Sequence, residues 1–450
     1  DFNAHFKWGA ATSSFQIEGN IDADGKLESI WDRFCKTPGK IKDMEHAEIA
    51  CDHYNRWEED FDLLEKLGVN SYRFSISWPR VMLCDLKQGN QKGIEYYDKL
   101  VDDLLSKNID PFVTLNHWDI PQTFQEKGGW VDRESIKYFL DYVDIITNRL
   151  GDRVKNWITH NEPWIIAYLG YNEGTHAPGH KSLEKTLAVN HHLLLSHGLS
   201  VPIIRENSKN SQVGIALNLT PAYPASSSKA DREAAKLFDE QFNAWYLDPL
   251  YGKKYPKNII ECWKDSGELK NDFDFIQDDD FKAIAEPTDF LGVNYYSRAI
   301  IRCPKTEMHK NLPIEIVPGE KTKFDWEVFP EGLEELLIRL KKDYSPESIY
   351  ITENGASYDY NVQEMEKIDD TKRIEYLESH IHACKKAVDQ GVPLQGYFCW
   401  SLMDNFEWAE GLNHRFGLVH VDFDTQKRIP KRSYKWYRKF LQDEINIYQK

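Results

Sequence analysis

Two glutamates carry the residue types and settings that chemistry needs. Glu162 lies in the run Thr159-His160-Asn161-Glu162-Pro163, and Glu353 in Ile351-Thr352-Glu353-Asn354-Gly355. Each follows an apolar segment, and each has an amide beside it, Asn161 or Asn354. Two carboxyl groups flanking a glycosidic bond can hydrolyse it, with retention at a separation of roughly 5–5.5 Å and inversion at roughly 6.5–9.5 Å. Two charges about 5 Å apart interact by about 3 kcal/mol at an effective dielectric near 20. That interaction is worth about two pKa units. If one glutamate is ionised as nucleophile, the other keeps its proton near neutral pH and serves as acid. Once the nucleophile becomes an ester its charge is gone, and the partner can act as base on water. Arg73 and Tyr296 are natural holders of the anionic carboxylate, because a cation and a phenol donor both favour the charged form. An interior ion pair at Arg73 and plain aromatic packing at Tyr296 fit the spacing equally well.

These residues need elements to place them. Eight short apolar segments read as strands: Phe6–Thr12, Val69–Ser75, Ile109–Asn116, Val154–Asn161, Gln212–Asn218, Asp289–Asn294, Ser348–Thr352 and Leu394–Trp400. Between them lie helical patterns, among them Trp57–Leu67, Ile94–Leu105, Arg133–Leu150, Leu183–Glu206, Glu331–Lys341 and Thr371–Gln390. Apolar positions in these recur near a 3.6 period, as in Phe61, Leu64 and Leu67. Gly68, Gly151 and Gly391 follow helix ends. Strand–helix alternation with near-continuous apolar strands implies a parallel sheet. Eight units imply an α/β fold of one (β/α)₈ TIM barrel with extended βα loops, spanning 1–450 as a single catalytic domain. The alternative is an open doubly wound sheet with a second domain. That sheet usually carries a G-x-G-x-x-G turn after its first strand. Here Ser13-Ser14-Phe15-Gln16-Ile17-Glu18-Gly19 follows instead.

In such a barrel the active site sits at the C-terminal strand ends. Read there, the ends carry Gln16, Arg73, His117-Trp118-Asp119, Asn161-Glu162, Asn294-Tyr295-Tyr296, Glu353-Asn354, and Trp400 followed by Asp404, Asn405, Glu407 and Trp408. A single glutamate at a strand end is more often a solvated loop acid. Convergence of seven ends is harder to ascribe to chance. Amide, imidazole, indole and carboxylate groups together suit a carbohydrate, whose hydroxyls need donors and acceptors and whose ring faces stack on aromatics.

Composition narrows the choice of partner. The 450 residues carry 73 acidic and 56 basic groups, a net charge of −17. Such a surface disfavours nucleic acid and anionic lipid. No run of about 18 apolar residues marks a membrane span. Fourteen Trp residues are a heavy load. An indole is costly in a core unless its N–H is paired, so some are expected at a ligand site. Seven scattered Cys, with no CxxC or zinc spacing, read as reduced, mostly buried thiols and favour the cytoplasm. The chain starts at Asp1 rather than Met, so something upstream is missing, and a removed signal peptide and secretion stay open. His191-His192 and His197 read as helix-face or interface histidines rather than metal ligands. Asp278–Asp280 reads as a solvated acidic turn. The Ser-rich 226–228 and Pro-rich 304–319 read as loops. The loops at about 165–180, 220–228 and 297–326 are those expected to set leaving-group preference.

Over nearly its whole length the chain resembles the family 1 glycoside hydrolases, which include bacterial β-glucosidases. The motifs are Phe6 to Gly19 (FKWGAATSSFQIEG), Tyr72 to Arg80 (YRFSISWPR), Thr114 to Pro121 (TLNHWDIP), Thr159 to Pro163, Ile351 to Gly355, and Trp400 to Trp408 (WSLMDNFEW). The resemblance implies a cofactor-free, metal-free retaining mechanism with Glu162 as acid/base and Glu353 as nucleophile. It implies a glycone pocket of Gln16, His117, Asn161, Glu407 and Trp408, with Trp400 as the stacking floor. Trp118 and Asn294 complete it, Phe416 sits beside it, and Trp326 contacts the leaving group. The substrate expected is a small carbohydrate, a terminal β-glucoside with galactoside and fucoside side activity and transglycosylation. Three features depart from the family pattern: His160 where Phe is usual, Trp57 for Tyr, and an Arg80–Gly89 stretch lacking the usual Pro and Gly. One rival is a 6-phospho-β-glucosidase, which carries Ser in place of Glu407. Another is a catalytically silent sugar-binding relative, which has usually lost one carboxylate. A thioglycosidase lacks the acid that Glu162 supplies. Oligomeric state is not legible.

Overall fold

The computed structural model describes residues 2–304, 319–362 and 367–448. Eight parallel strands close into a barrel: β1 (Lys7–Ala11), β2 (Ser71–Ser75), β3 (Asp110–Asn116), β4 (Asn156–Asn161), β5 (Gln212–Asn218), β6 (Phe290–Asn294), β7 (Ile349–Asn354) and β8 (Leu394–Trp400). Neighbours around the ring follow chain order, and β1 pairs with both β2 and β8. The expected (β/α)₈ barrel is therefore the fold. Every residue of β2 and of β7 is buried. Helices cover the outer face and side chains fill the interior, which is why these strands read as continuous apolar runs.

The lower interior is an aromatic plug. Phe112 lies 4.9 Å from Phe398 and 5.2 Å from Tyr350 between ring centres, and Phe290 completes the group. These residues precede the polar ones on their strands, so the plug supports the floor of a mouth at the C-terminal strand ends. Gly355 shows how tightly that mouth is built: a Cβ there would sit 1.7 Å from the Trp400 carbonyl oxygen.

Boundaries differ from expectation in physically readable ways. The seventh strand extends past Thr352 to Asn354, so Glu353 lies inside it. Its ladder is made by the backbone, which is indifferent to polar side chains. The first outer helix spans His53–Leu67, starting before Trp57, because His53 is buried against Asp60 one face along. A tight turn at Arg133–Ser135 precedes the helix Ile136–Leu150. The expected loop at 165–180 is partly helical, Ile165–Glu173. Two short strands, Ala222–Pro224 and Ala299–Ile301, pair beside it. Ser226–Ser228 lead as a loop into the helix Lys229–Asp239, with Ser228 as its cap. Of the Pro-rich stretch, 305–318 lies outside the described residues.

Two expectations are corrected. Asp280 is not solvated; it is buried, ion-paired to Arg133 and 2.7 Å from His191 Nε2. Its partners come from elements far along the chain. All seven Cys are free thiols, but only Cys51, Cys384 and Cys399 are fully buried, and Cys84 is exposed. His191, His192 and His197 are buried on the helix Leu183–Asn207, where His191 Nδ1 meets the Tyr255 hydroxyl at 2.8 Å. No helix among the described residues is long and apolar enough to cross a membrane.

Candidate active site

Strand irregularities aim the functional side chains. Register shifts interrupt β4 between Ile158 and Asn161, β6–β7 at Val293/Asn294, and β7–β8 before Asn354. Such bulges re-aim side chains and are common beside active sites. Three site residues beyond strand ends lie in the left-handed region: Trp118 (φ 82°), Glu162 (φ 51°) and, in the loop after β8, Trp408 (φ 51°). That conformation is unfavourable for residues other than glycine and is held only by surrounding contacts.

One polar network joins the two glutamates. Arg73 Nη1 donates to Glu353 Oε1 at 2.7 Å, and its Nη2 donates to Asn161 Oδ1 at 2.7 Å. Tyr296 donates its hydroxyl to Glu353 Oε2 at 2.6 Å. Asn294 Nδ2 donates to Glu162 Oε1 at 2.9 Å and to Asn161 Oδ1 at 3.0 Å. Thr352 fixes the Asn294 amide by donating to its Oδ1 at 2.6 Å. With Asn161 Oδ1 occupied twice, its Nδ2 donates to His117 Nε2 at 3.1 Å. His117 is therefore neutral, and burial and the Arg73 charge push its pKa well below the ordinary value.

Electrostatics separate the two carboxyls. Burial raises the Glu162 pKa well above the carboxylate range, and the Glu353 charge raises it further. Burial also raises Glu353, but the Arg73 charge and the donors Tyr296, Arg73 and Asn294 oppose it. Glu162 is the member of the pair that keeps the proton.

A third carboxyl lies across the pocket. Glu407 Oε2 is 3.5 Å from Gln16 Nε2, which also donates to the Phe406 carbonyl and to Asn405. Burial, then the Glu353 charge, push Glu407 up to about 8. In its protonated form it can both donate to and accept from a hydroxyl. Aromatic rings wall this end: Trp408 lies 4.6 Å from Trp118 and 4.7 Å from Trp31, and His117 stacks on Trp400 at 5.9 Å. Trp118 Nε1 donates to the Asn161 carbonyl.

The cavity, about 580 Å³, takes in Gln16, His117, Trp118, Glu162, Asn294, Tyr296, Trp326, Glu353, Trp400, Glu407, Trp408 and Phe416. The predicted residues thus converge; Arg73 and Asn161 lie directly behind them. Trp326 stands at the outer side, 4.6 Å from Phe324 and 5.3 Å from Tyr296. Trp164, Asn218, Phe242 and Phe324 also line the cavity and were not singled out from sequence. Asn218 ends β5 and carries the same strand-end signal as the others. His160, the departure beside Asn161, faces away. It stacks on Phe139 at 4.8 Å and bridges Asn116 and Ser196. No cluster of metal-binding side chains occurs among the described residues.

Known proteins match this chain over almost all of it. The model of "Glycosyl hydrolase family 1" matches residues 1–445. "Beta-glucosidase A" of Acetivibrio thermocellus is 46% identical over 445 residues, covering 98% of each chain. A "Bifunctional beta-D-glucosidase/beta-D-fucosidase" of Bifidobacterium breve is 37% identical, also covering 98% of each. Among solved structures, the family 1 β-glucosidase of Thermotoga maritima superposes with a TM-score of 0.93 at 43% identity, covering 98% of each chain. A β-glucosidase of Exiguobacterium antarcticum gives 0.95 at 41%, again covering 98% of each. By sequence, barrel and site alike, the chain belongs to glycosyl hydrolase family 1.

Proposed function

We propose that this protein is a retaining β-glucosidase, acting as a single catalytic domain on terminal β-D-glucosyl residues of oligosaccharides or aryl glucosides. The observation that carries the reading is the pair Glu162 and Glu353 at the ends of β4 and β7, joined through Arg73, Asn161 and Asn294. Glu353, held as an anion by Arg73 and Tyr296, attacks the anomeric carbon. Glu162 gives its proton to the departing oxygen, and the C–O bond breaks. The glycosyl ester removes the Glu353 charge, so Glu162 loses proton affinity and takes a proton from water, which displaces Glu353. A sugar hydroxyl in place of water gives transglycosylation. Gln16 and Glu407 bind the glycone hydroxyls and the indoles of Trp400 and Trp408 its faces. Such contacts tolerate an epimer better than a lost hydroxyl, which supports galactoside and fucoside side activity.

The phosphorylated-sugar reading is disfavoured by Glu407, which stands where such enzymes carry Ser and adds a carboxyl beside the glycone. Of the cations lining the cavity, Arg298 is already paired to Glu327 at 2.8 Å. Seven free thiols support a reducing, cytoplasmic setting. The test is side-by-side hydrolysis of the 4-nitrophenyl β-glucoside, β-galactoside, β-fucoside and 6-phospho-β-glucoside, with NMR of the first anomer released. Fast release of β-glucose is expected. Release only from the phosphorylated sugar, or an α-anomer first, overturns the proposal.

A further inference from the structure

The chain that leaves β8 makes a closed excursion before it returns. Met403 pairs with Val419, and Asp404 N donates to the Val419 carbonyl at 2.9 Å. The loop 405–416 hangs from this neck and carries Glu407, Trp408 and Phe416 into the cavity. A Cβ on Gly417 would sit 2.1 Å from Asp404 N, so the two sides of the neck touch backbone to backbone.

An anion closes the neck. The side chains of Asp404 and Lys431 are fully buried, and Lys431 Nζ lies 2.6 Å from Asp404 Oδ1. That oxygen also accepts from Gly417 N at 2.9 Å. The other, Oδ2, accepts from the Tyr360 hydroxyl at 2.6 Å and from Arg415 Nη1 at 2.8 Å. Burial opposes ionisation, yet Lys431 and Arg415 hold the Asp404 carboxyl well below the ordinary range. The donors come from separate parts of the chain. Tyr360 follows β7, the strand of Glu353; Arg415 and Gly417 lie on the returning side of the loop; Lys431 precedes the last helix, Arg432–Tyr448. Apolar groups of similar volume often hold a fold as well as a buried ion pair does. What four donors on two oxygens add is one fixed geometry.

That geometry is imposed where position counts. Glu407 stands across the cavity from Glu162 and Glu353, so it meets the glycone hydroxyls remote from the anomeric carbon, at C4 and on the C6 hydroxymethyl. Asp404, Lys431 and Tyr360 do not line the cavity and reach a substrate only through the loop. Resting on the β-glucosidase reading, we propose that Asp404, clamped by Lys431 and Tyr360, is a positioning residue that fixes Glu407 against the far end of the glycone and so sets the preference for a hexoside over a pentoside.

The test compares the wild type with Lys431→Met, Tyr360→Phe and Asp404→Asn on 4-nitrophenyl β-glucoside and on the β-xyloside, which lacks the hydroxymethyl. Rates are normalised to the burst from saturating 2,4-dinitrophenyl 2-deoxy-2-fluoro-β-glucoside, which counts working sites. A loosened loop should lower kcat/KM on the glucoside by about 10- to 100-fold, mainly through KM. The xyloside should lose far less, so the glucoside-to-xyloside ratio collapses. Tyr360→Phe keeps the buried charges paired and carries the test if the other two do not fold. Glu407→Gln alone should collapse the same ratio, and adding Tyr360→Phe to it should cost little more. An unchanged ratio in Tyr360→Phe, or losses that add in full to those of Glu407→Gln, overturns the positioning role and leaves the glucosidase reading standing. No hydrolysis of any glucoside by the wild type overturns both.

Discussion

Glu162 and Glu353 are the same residue type at the ends of β4 and β7, and their neighbours give them different electrostatic settings. Asn294 gives Glu162 one neutral hydrogen bond, whereas Glu353 has a guanidinium and a phenol. Replacing Glu162 by Ala should slow glucosides with poor leaving groups by about 10²–10⁴-fold and good ones far less. Azide should restore turnover as the β-glucosyl azide; equal slowing across leaving groups would count against the acid role. Tyr296→Phe removes one donor from the charged form of Glu353. A hydrogen bond to a charged group is worth about 1.5–3 kcal/mol, so kcat should fall about tenfold or more. On the proposed mechanism the wild-type pH–rate profile should be a bell, with activity lost in acid as Glu353 gains a proton and in alkali as Glu162 loses one. Loss of the Tyr296 donor raises the Glu353 pKa, so the acid limb should move to higher pH. An unmoved limb in a folded variant would remove Tyr296 from the nucleophile's support.

At the scale of elements, the sequence was most legible where one face or one end repeats a pattern. The eight strands and the polar residues at their ends could be read because period and position recur. Phe242 could not, since a π-turn displaces it from the 3.6 spacing that a reader of helices looks for, and Trp164 stands just ahead of another such segment. Asp280 was misread because its partners Arg133 and His191 are 147 and 89 residues away; only the fold brings them together. Gly355 is the reverse case, legible as a motif residue but with a reason visible only in three dimensions. Gly355→Ala would drive a methyl group into the Trp400 carbonyl, 1.7 Å from the position of its Cβ. Overpacking of this kind costs about 1–3 kcal/mol. Both the melting temperature and kcat/KM on 4-nitrophenyl β-glucoside should fall, because the displaced strand end carries Trp400, which lines the cavity. A loss of stability with unchanged kinetics would separate the two.

For the whole molecule, buried imidazoles set the tolerance to acid. Burial lowers the pKa of His191 and His380 to about 4, and of His197 to about 3. Unfolded, these groups take up protons near pH 6.5. Their folded pKa values are depressed, so the unfolded state binds more protons between those values and 6.5, and stability falls as pH drops through that window. Each group contributes a slope of about 1.4 kcal/mol per pH unit there. The melting temperature should therefore fall steeply from pH 6.5 to 4.5, and His191→Asn should blunt the fall; a flat profile would contradict the burial account. The network behind the glutamates has a reach of the same order. It ties β2 to β4, β6 and β7, so side chains from both halves of the ring share a single set of hydrogen bonds. Changes within it should not add: the double variant Asn161→Ala/Asn294→Ala should cost less than the sum of the singles. A single replacement in it therefore reaches four strands at once, whereas Trp164 and Phe242 share none of these hydrogen bonds and can be exchanged one at a time.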